Sequence, residues 1–157
     1  MRKKYRMLIY KDIVNGDELL SDAIITSTDD LFYIVKGKMV VADGDEDDED
    51  AEKVIDVVFR YNLTEAEFTK KTLMSNLKKF MKAMSKSLKK TKSEEEVTAW
   101  QEKVNAWVTG LLEKFDDYNF YLGASNDVES GMVVLCKWDG ADPYFYYWKD
   151  ALKSEKV

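Results

Sequence analysis

The hydrophobic period of the chain changes twice, and this change limits the fold more than any other feature of the sequence. Apolar residues recur every three or four positions from Leu73 to Leu88 and again from Val97 to Phe115, a spacing typical of amphipathic helices. Short runs rich in β-branched and aromatic residues lie on both sides of these segments. Because strands flank one helical insertion and do not alternate with helices, the pattern predicts an α+β class with a mainly antiparallel sheet.

The insertion is predicted to be an α-helical hairpin over residues 64–115. Thr64-Glu65-Ala66-Glu67 and Ser93-Glu94-Glu95-Glu96 both have the form of a capping box, in which a hydroxyl and a glutamate satisfy free amides at a helix start. Only a few residues separate the two helical segments, so we expect them to pack antiparallel. Trp100 and Trp107 are seven residues apart on the second helix, which favours a place in the hairpin core over a ligand platform.

The β-type runs predict several short strands. A hairpin turn is expected at residues 36–38, between two of these runs. The predicted strands cover residues 6–10, 31–35, 39–41, 54–59, 118–122, 132–136 and 144–148. The 157 residues suit one domain over residues 1–157.

Composition excludes several kinds of site. The chain has no histidine and a single cysteine, Cys136, so a Ser-His-Asp or Cys-His triad and a zinc site of histidines or of four cysteines are excluded. One cysteine cannot form an internal disulfide, which favours a reducing cytoplasm. We expect no signal peptide and no membrane association, because no apolar run approaches the length that spans a bilayer. The net charge of −6 disfavours nucleic acid as a partner.

Residues 42–53 are predicted to form a flexible acidic loop. Eight acidic residues and no basic residue lie between positions 43 and 52, and like charges at this density repel one another. Asp43, Asp45 and Asp47 have the spacing of the first ligands of an EF-hand, but the loop lacks its glycine and its bidentate glutamate. The loop is therefore either plainly solvated or a weak calcium site, and no other cofactor is expected.

Basic residues concentrate on the first predicted helix. Nine lysines and no acidic residue lie between positions 70 and 92. Such a run is commonly a solvated face, and its alternative role is to meet an acidic partner. The candidate residues for an acidic partner are Lys71, Lys78, Lys79, Lys82, Lys86, Lys89 and Lys90.

Four carboxylates form a further cluster near the N-terminus: Asp12, Asp17, Glu18 and Asp22. Ordinary turn and cap acids are the simplest interpretation. Acid-base catalysis is disfavoured because no histidine and no glycine-rich phosphate loop accompanies them. Contact with a protein partner is the third interpretation.

The order of several local strings resembles the translationally controlled tumour protein family. The similarity runs from about Met7 to Lys156, and residues 1–6 precede it as an N-terminal extension. The strings that carry the resemblance are Met7-Leu8-Ile9-Tyr10-Lys11-Asp12, Asp17-Glu18, Ser21-Asp22, Gly37-Lys38-Met39-Val40, Val54-Ile55-Asp56-Val57-Val58, Phe68-Thr69-Lys70-Lys71, Phe120-Tyr121-Leu122-Gly123, Gly131-Met132-Val133 and Lys149-Asp150.

The resemblance implies a β-tent fold of mainly antiparallel short strands around the helical hairpin. It implies that Glu18, with Asp17 beside it, engages a small Ras-like GTPase or a translation elongation factor. It also implies tubulin and microtubules as the acidic partner of the lysines, and weak calcium binding. The chain lacks the paired CxxC motifs with which β-tent relatives hold zinc.

The sequence as a whole predicts a cytoplasmic, non-enzymatic interaction protein that acts in growth control. The alternative from another class is a chaperone-like or weakly calcium-binding stress protein, whose charged surface acts without a fixed partner. Enzymatic activity is the third hypothesis.

Overall fold

The computed structural model describes residues 7–42 and 51–156. The predicted N-terminal extension, residues 1–6, and most of the predicted acidic loop lie outside these residues. The strands of the described chain are β1 (Leu8–Asp12), β2 (Glu18–Ser21), β3 (Ser27–Thr28), β4 (Phe32–Lys36), β5 (Met39–Val41), β6 (Lys53–Ile55), β7 (Thr64–Ala66), β8 (Tyr118–Leu122), β9 (Val134–Asp139), β10 (Asp142–Trp148) and β11 (Leu152–Lys156).

The described strands form three sheets. A six-stranded sheet has the order β3-β4-β10-β9-β8-β7, a three-stranded sheet has the order β11-β1-β2, and β5 pairs with β6. All of their pairings are antiparallel. Three short 3₁₀ turns occur in the described chain, at Asp22–Ile24, Phe115–Asp117 and Lys149–Ala151. The second long helix is α3 (Glu94–Glu113). The predicted α+β class is confirmed.

The helical hairpin consists of α2 (Lys70–Leu88) and α3, and a short helix α1 (Asp56–Arg60) precedes it. The predicted capping box at Ser93 is present, with Glu96 as its partner. The box predicted at Thr64 is wrong, because Thr64–Ala66 pairs with β8 as a strand. Thr69 caps α2 instead: its hydroxyl accepts the amide of Thr72, and the hydroxyl of Thr72 accepts the amide of Thr69 in place of a glutamate.

Two predicted strand features also differ. Residues 54–59 do not form one strand, because β6 ends at Ile55 and the carboxylate of Asp56 accepts the amide of Val57 at 2.8 Å as helix α1 begins. The expected hairpin at residues 36–38 does not form either. The amide of Gly37 donates to the carbonyl of Pro143 at 2.8 Å, so the chain at Gly37 continues alongside β10 and does not turn back on β4.

Buried side chains from the sheets and both long helices form one cluster. Trp107 of α3 packs on Phe32 and Trp148 of the six-stranded sheet, with ring centroids 4.6 and 5.6 Å away. The tryptophan therefore joins the hairpin to the sheet, and it is not an element of the hairpin alone. Cys136 is buried in this core, and burial raises the pKa of its thiol to about 12.

Candidate interaction surfaces

The connection between β1 and β2 is a tightly bonded turn that presents Glu18. The amide of Asp12 donates to the carbonyl of Asp17, and the amide of Gly16 donates to the carbonyl of Asp12, both at 2.9 Å. The side-chain oxygen of Asn15 accepts the amide of Asp17 at 2.9 Å. Gly16 adopts a φ of 77°, in the left-handed region that glycine enters without strain. Glu18, the first residue of β2, therefore extends from a well-defined backbone.

Asp12 holds this turn to a distant loop from inside the protein. Its side chain is 3% exposed, and its two oxygens accept the amides of Val14 at 2.8 Å and Met132 at 2.7 Å. Burial raises the pKa of the Asp12 carboxyl, and the charges of Asp17 and Asp127 add to the increase, while the two amides oppose it. Both oxygens are thus used in structural bonds.

Asp17 fixes the turn to the segment 123–131. One of its carboxylate oxygens accepts the hydroxyl of Ser125 at 2.6 Å and the amide of Ser125 at 3.1 Å. Gly123 approaches the same carboxylate so closely that a Cβ at this position would lie 2.5 Å from it. The predicted binding residue Asp17 is therefore engaged inside the protein, next to the position from which Glu18 leaves it.

Glu18 itself is exposed. Within residues 7–42 and 51–156, its carboxylate makes no hydrogen bond or ion pair. Lys11 faces Glu18 across the strands, but its ammonium pairs with Glu155 at 2.5 Å. Relative to the part of the chain that the structure describes, the Glu18 carboxylate is therefore exposed to solvent.

Apart from Lys11 on the neighbouring strand, the surroundings of Glu18 are acidic and partly apolar. We call residues 12–18 and 123–131 the Glu18 face; they include no lysine or arginine. Val14 is 38% exposed and Val128 is 49% exposed. The side-chain nitrogen of Asn15 lies close to Gly131, where a Cβ would be 2.9 Å from it, so the two valine-bearing segments lie together. Such a surface complements a partner that offers both basic and apolar groups.

Asp22, the last member of the predicted carboxylate cluster, accepts the amide of Leu8 at 3.2 Å. Three of the four clustered carboxylates therefore accept backbone amides, as turn and cap acids do. This arrangement leaves Glu18 as the carboxylate of that cluster available for binding.

The predicted lysine residues form a second surface. All seven side chains are exposed; five lie on α2, Lys89 caps its C-terminus and Lys90 follows it. We call them the lysine stripe: Lys71, Lys78, Lys79, Lys82, Lys86, Lys89 and Lys90. In the part of the chain that the structure describes, no acidic side chain pairs with any of them.

Four members of the lysine stripe border a groove between α2 and α3. The groove has a volume of about 650 Å³, and Met74, Met81, Trp100 and Val108 give it an apolar floor. Among the described residues, no carboxylate lines the groove; its basic members are Lys78, Lys82, Lys86 and Lys89. Sequence reasoning found the lysines but missed the groove, because the groove requires the packing of one helix on the other.

The predicted calcium residues Asp43, Asp45 and Asp47 lie outside the described residues. Among the residues that the structure does describe, no group of three or more acidic or cysteine side chains is placed to hold a metal ion. No described helix is long and apolar enough to cross a membrane.

The sequence model of the translationally controlled tumour protein family matches residues 7–153. The chain belongs to this family. The translationally controlled tumour protein homologue of Schizosaccharomyces pombe is 36% identical to it over 169 residues, which cover 96% of this chain and 99% of the homologue. The homologue of Gibberella zeae is also 36% identical, over 171 residues that cover 96% and 100%.

Solved structures of the translationally controlled tumour protein family share the fold. The S. pombe protein p23fyp superposes with a TM-score of 0.81 at 34% identity, with 96% of this chain and 99% of that chain covered. The Caenorhabditis elegans protein gives a TM-score of 0.73 at 29% identity, with 96% and 98% covered. The resemblance found in the sequence is therefore confirmed. The names of these relatives state no enzymatic reaction.

Proposed function

We propose that the protein is a non-enzymatic interaction protein that binds a small Ras-like GTPase or a translation elongation factor through the Glu18 face. The observation that carries this proposal is the exposed Glu18 carboxylate, which has no partner among the described residues and stands on a bonded turn. Because the turn is already ordered, binding does not have to order it, and this increases the affinity that a single charged contact can give. Growth control in the cytoplasm is the corresponding role.

Binding to a Ras-like GTPase can be tested with a panel of purified GDP-loaded GTPases on the immobilised protein, followed by nucleotide-exchange assays on those that bind. Glu18→Gln should reduce retention of the cognate GTPase at least about tenfold, because a neutral amide cannot pair with a basic group. Glu113→Gln is the matched control, since Glu113 is an exposed carboxylate at the end of α3. Equal retention by both variants would refute the role of Glu18.

The lysine stripe supports a second proposed contact, with an acidic partner such as tubulin. The supporting observation is the groove, which has lysines on its border and, among the residues that the structure describes, no carboxylate in its lining. Reversal of Lys78, Lys82 and Lys86 to Glu should weaken co-sedimentation with microtubules. Reversal of three exposed lysines elsewhere provides an equal change in charge: Lys53, Lys114 and Lys156. If both triple variants lose binding equally, net charge is responsible and the stripe is a solvated face.

The alternative function, a chaperone-like or weakly calcium-binding stress protein, predicts a different response to salt. A purely electrostatic surface loses its affinity as the Debye length falls from about 8 Å at physiological salt to about 3 Å at 1 M. A docking site with apolar contacts retains part of its affinity. Titration of partner binding with sodium chloride separates these two functions.

A further inference from the structure

Asn76 is a polar side chain on the buried face of α2. It is 2% exposed and lies on the same side of the helix as the apolar residues Leu73, Leu77 and Phe80. Its side-chain amide donates to the carbonyl of Val128 and to the carbonyl of Gly131, both at 3.1 Å. These bonds join α2 to the segment 123–131, more than fifty positions along the chain.

That segment holds the turn of Glu18. The amide of Met132, directly after Gly131, donates to buried Asp12, and Ser125 donates twice to Asp17. A continuous series of hydrogen bonds and covalent bonds therefore runs from Asn76 through the segment to both ends of the β1–β2 turn.

The segment has little freedom to move independently of the turn. A Cβ on Gly131 would lie 2.9 Å from the side-chain nitrogen of Asn15 and 2.9 Å from the carbonyl oxygen of Asp127. Asn15 therefore packs against the backbone of Gly131 with no space for a side chain between them, so we expect a displacement of the segment towards the turn to displace the turn as well.

The side-chain oxygen of Asn76 is buried and has no hydrogen-bond partner among the described residues. A buried acceptor without a partner disfavours folding relative to an apolar side chain of similar size. The Asn76 amide therefore adds little to the net free energy of folding. Its main effect is to fix where the two accepting carbonyls lie on α2.

We propose that Asn76 is a positioning residue of the Glu18 face. Its two donated bonds set the place of the segment 123–131 on α2, and the segment sets the place of the turn from which Glu18 extends. The inference rests on the proposed function only for the statement that Glu18 binds a partner.

Amide hydrogen exchange measured by NMR on the full chain tests the positioning role without any partner. In Asn76→Leu, the amides of Val14, Ser125 and Met132 should exchange at least about tenfold faster, because the segment and turn open more often. Amides of β10 should keep their rates. Gln101→Leu is the matched control: it removes a 3.1 Å bond from Gln101 to Ser85 on α2 that does not involve the segment.

Two results would overturn the proposal. Unchanged exchange at the three amides would mean that the segment holds itself in place. Equal acceleration in β10 would mean that Asn76 is an ordinary core residue. Asn76→Ala, which inserts no larger group, replaces Asn76→Leu if the leucine variant does not fold. The exchange measurement uses no GTPase. A failure of the Glu18 binding assay therefore does not change its result, and the two proposals can fail separately.

Discussion

The Glu18 face and the lysine stripe are both charged surfaces, but the protein holds them in different ways. On the Glu18 face, carboxylates accept backbone amides across 108 and 120 positions of the chain. On the lysine stripe, the ammonium groups have no acidic partner within the described part of the chain and extend from one regular helix. Tertiary contacts preorganise the Glu18 face. Local structure positions the lysine stripe, and its exposed side chains keep their rotamer entropy until a partner binds.

The largest expected effect is on the preorganised surface. Asp12→Ala leaves the amides of Val14 and Met132 without their acceptor in a buried place. Each such loss typically costs about 1–3 kcal/mol, so for the two amides we expect the free energy of unfolding to fall by about 2–6 kcal/mol. Urea unfolding measures this change. Asp22→Ala, which removes an acceptor from an exposed amide, serves as control. A similar small loss in both variants would contradict the role of Asp12 as an anchor.

The next effect separates binding from stability on the same surface. Glu18→Val removes an exposed carboxylate without an internal partner among the described residues, so the free energy of unfolding should change by well under about 1 kcal/mol. Association with the GTPase should fall at least about tenfold, equivalent to about 1.4 kcal/mol. Thermal unfolding and an equilibrium binding assay on one preparation test both parts. A normal GTPase affinity would exclude Glu18 as the contact.

The comparison also explains what could be predicted from the sequence. The lysine stripe follows from helical spacing alone, since the helix places residues four apart on one side. The exposed position of Glu18 follows from the turn signal Asn15-Gly16-Asp17. The partners of that turn do not follow, because Ser125 and Met132 are far away in the chain and carry no local signal. Asn76 does carry one, as a polar residue at a position of the apolar period.

The wrong cap at Thr64 has the same cause. Its local pattern, a threonine three residues before Glu67, is that of a capping box, but pairing of Thr64 with Leu122 takes the residue into a strand. Thr69 was not predicted as the cap because Thr72 stands where the motif has a glutamate. Local patterns thus predict the two long helices and several strands. They do not predict β2, β3, β7, β11 or α1, and long-range pairing decides where the strands lie.

A third prediction concerns pH and compares two carboxylates of the Glu18 face. Burial raises the pKa of Asp12 above 3.8, so the part of its contribution that depends on protonation is fully present below pH 3.8 and is lost as pH rises through the raised pKa, while the part from its accepted hydrogen bonds remains. Burial also acts to raise the pKa of Asp127, but hydrogen bonds from Ser130 outweigh it and lower that pKa. The contribution of Asp127 is therefore present above pH 3.8 and is lost as pH falls through the lowered pKa.

The measurement for this third prediction is urea unfolding of the wild type, Asp12→Ala and Asp127→Ala between pH 3 and 7. Relative to the wild type, the deficit of Asp12→Ala should shrink as pH rises. The deficit of Asp127→Ala should grow as pH rises towards 3.8 and stay level above it. Parallel pH dependence in the two variants would show that one shared charge effect governs both carboxylates.

The smallest effect belongs to the lysine stripe and has the opposite sign. Lys78, Lys82 and Lys86 follow one another at intervals of four on α2, so neighbouring positive charges repel. Lys82→Glu removes two repulsive pairs and creates two attractive ones, which makes four changes of about 0.2–0.5 kcal/mol each. Because exposed pairs lie near the lower value, the free energy of unfolding should rise by about 1 kcal/mol at low salt. Lys82→Gln should give about half of this increase, because it removes the repulsion and adds no attraction. The increase should nearly vanish at 1 M salt, where the Debye length is about 3 Å.

The same Lys82→Glu change should weaken binding of an acidic partner, so a variant that is more stable and binds less would distinguish this surface from the Glu18 face. Destabilisation by Lys82→Glu at low salt would instead mean that Lys82 contacts an acidic group within the fold, and the stripe would then be part of the structure rather than a free surface.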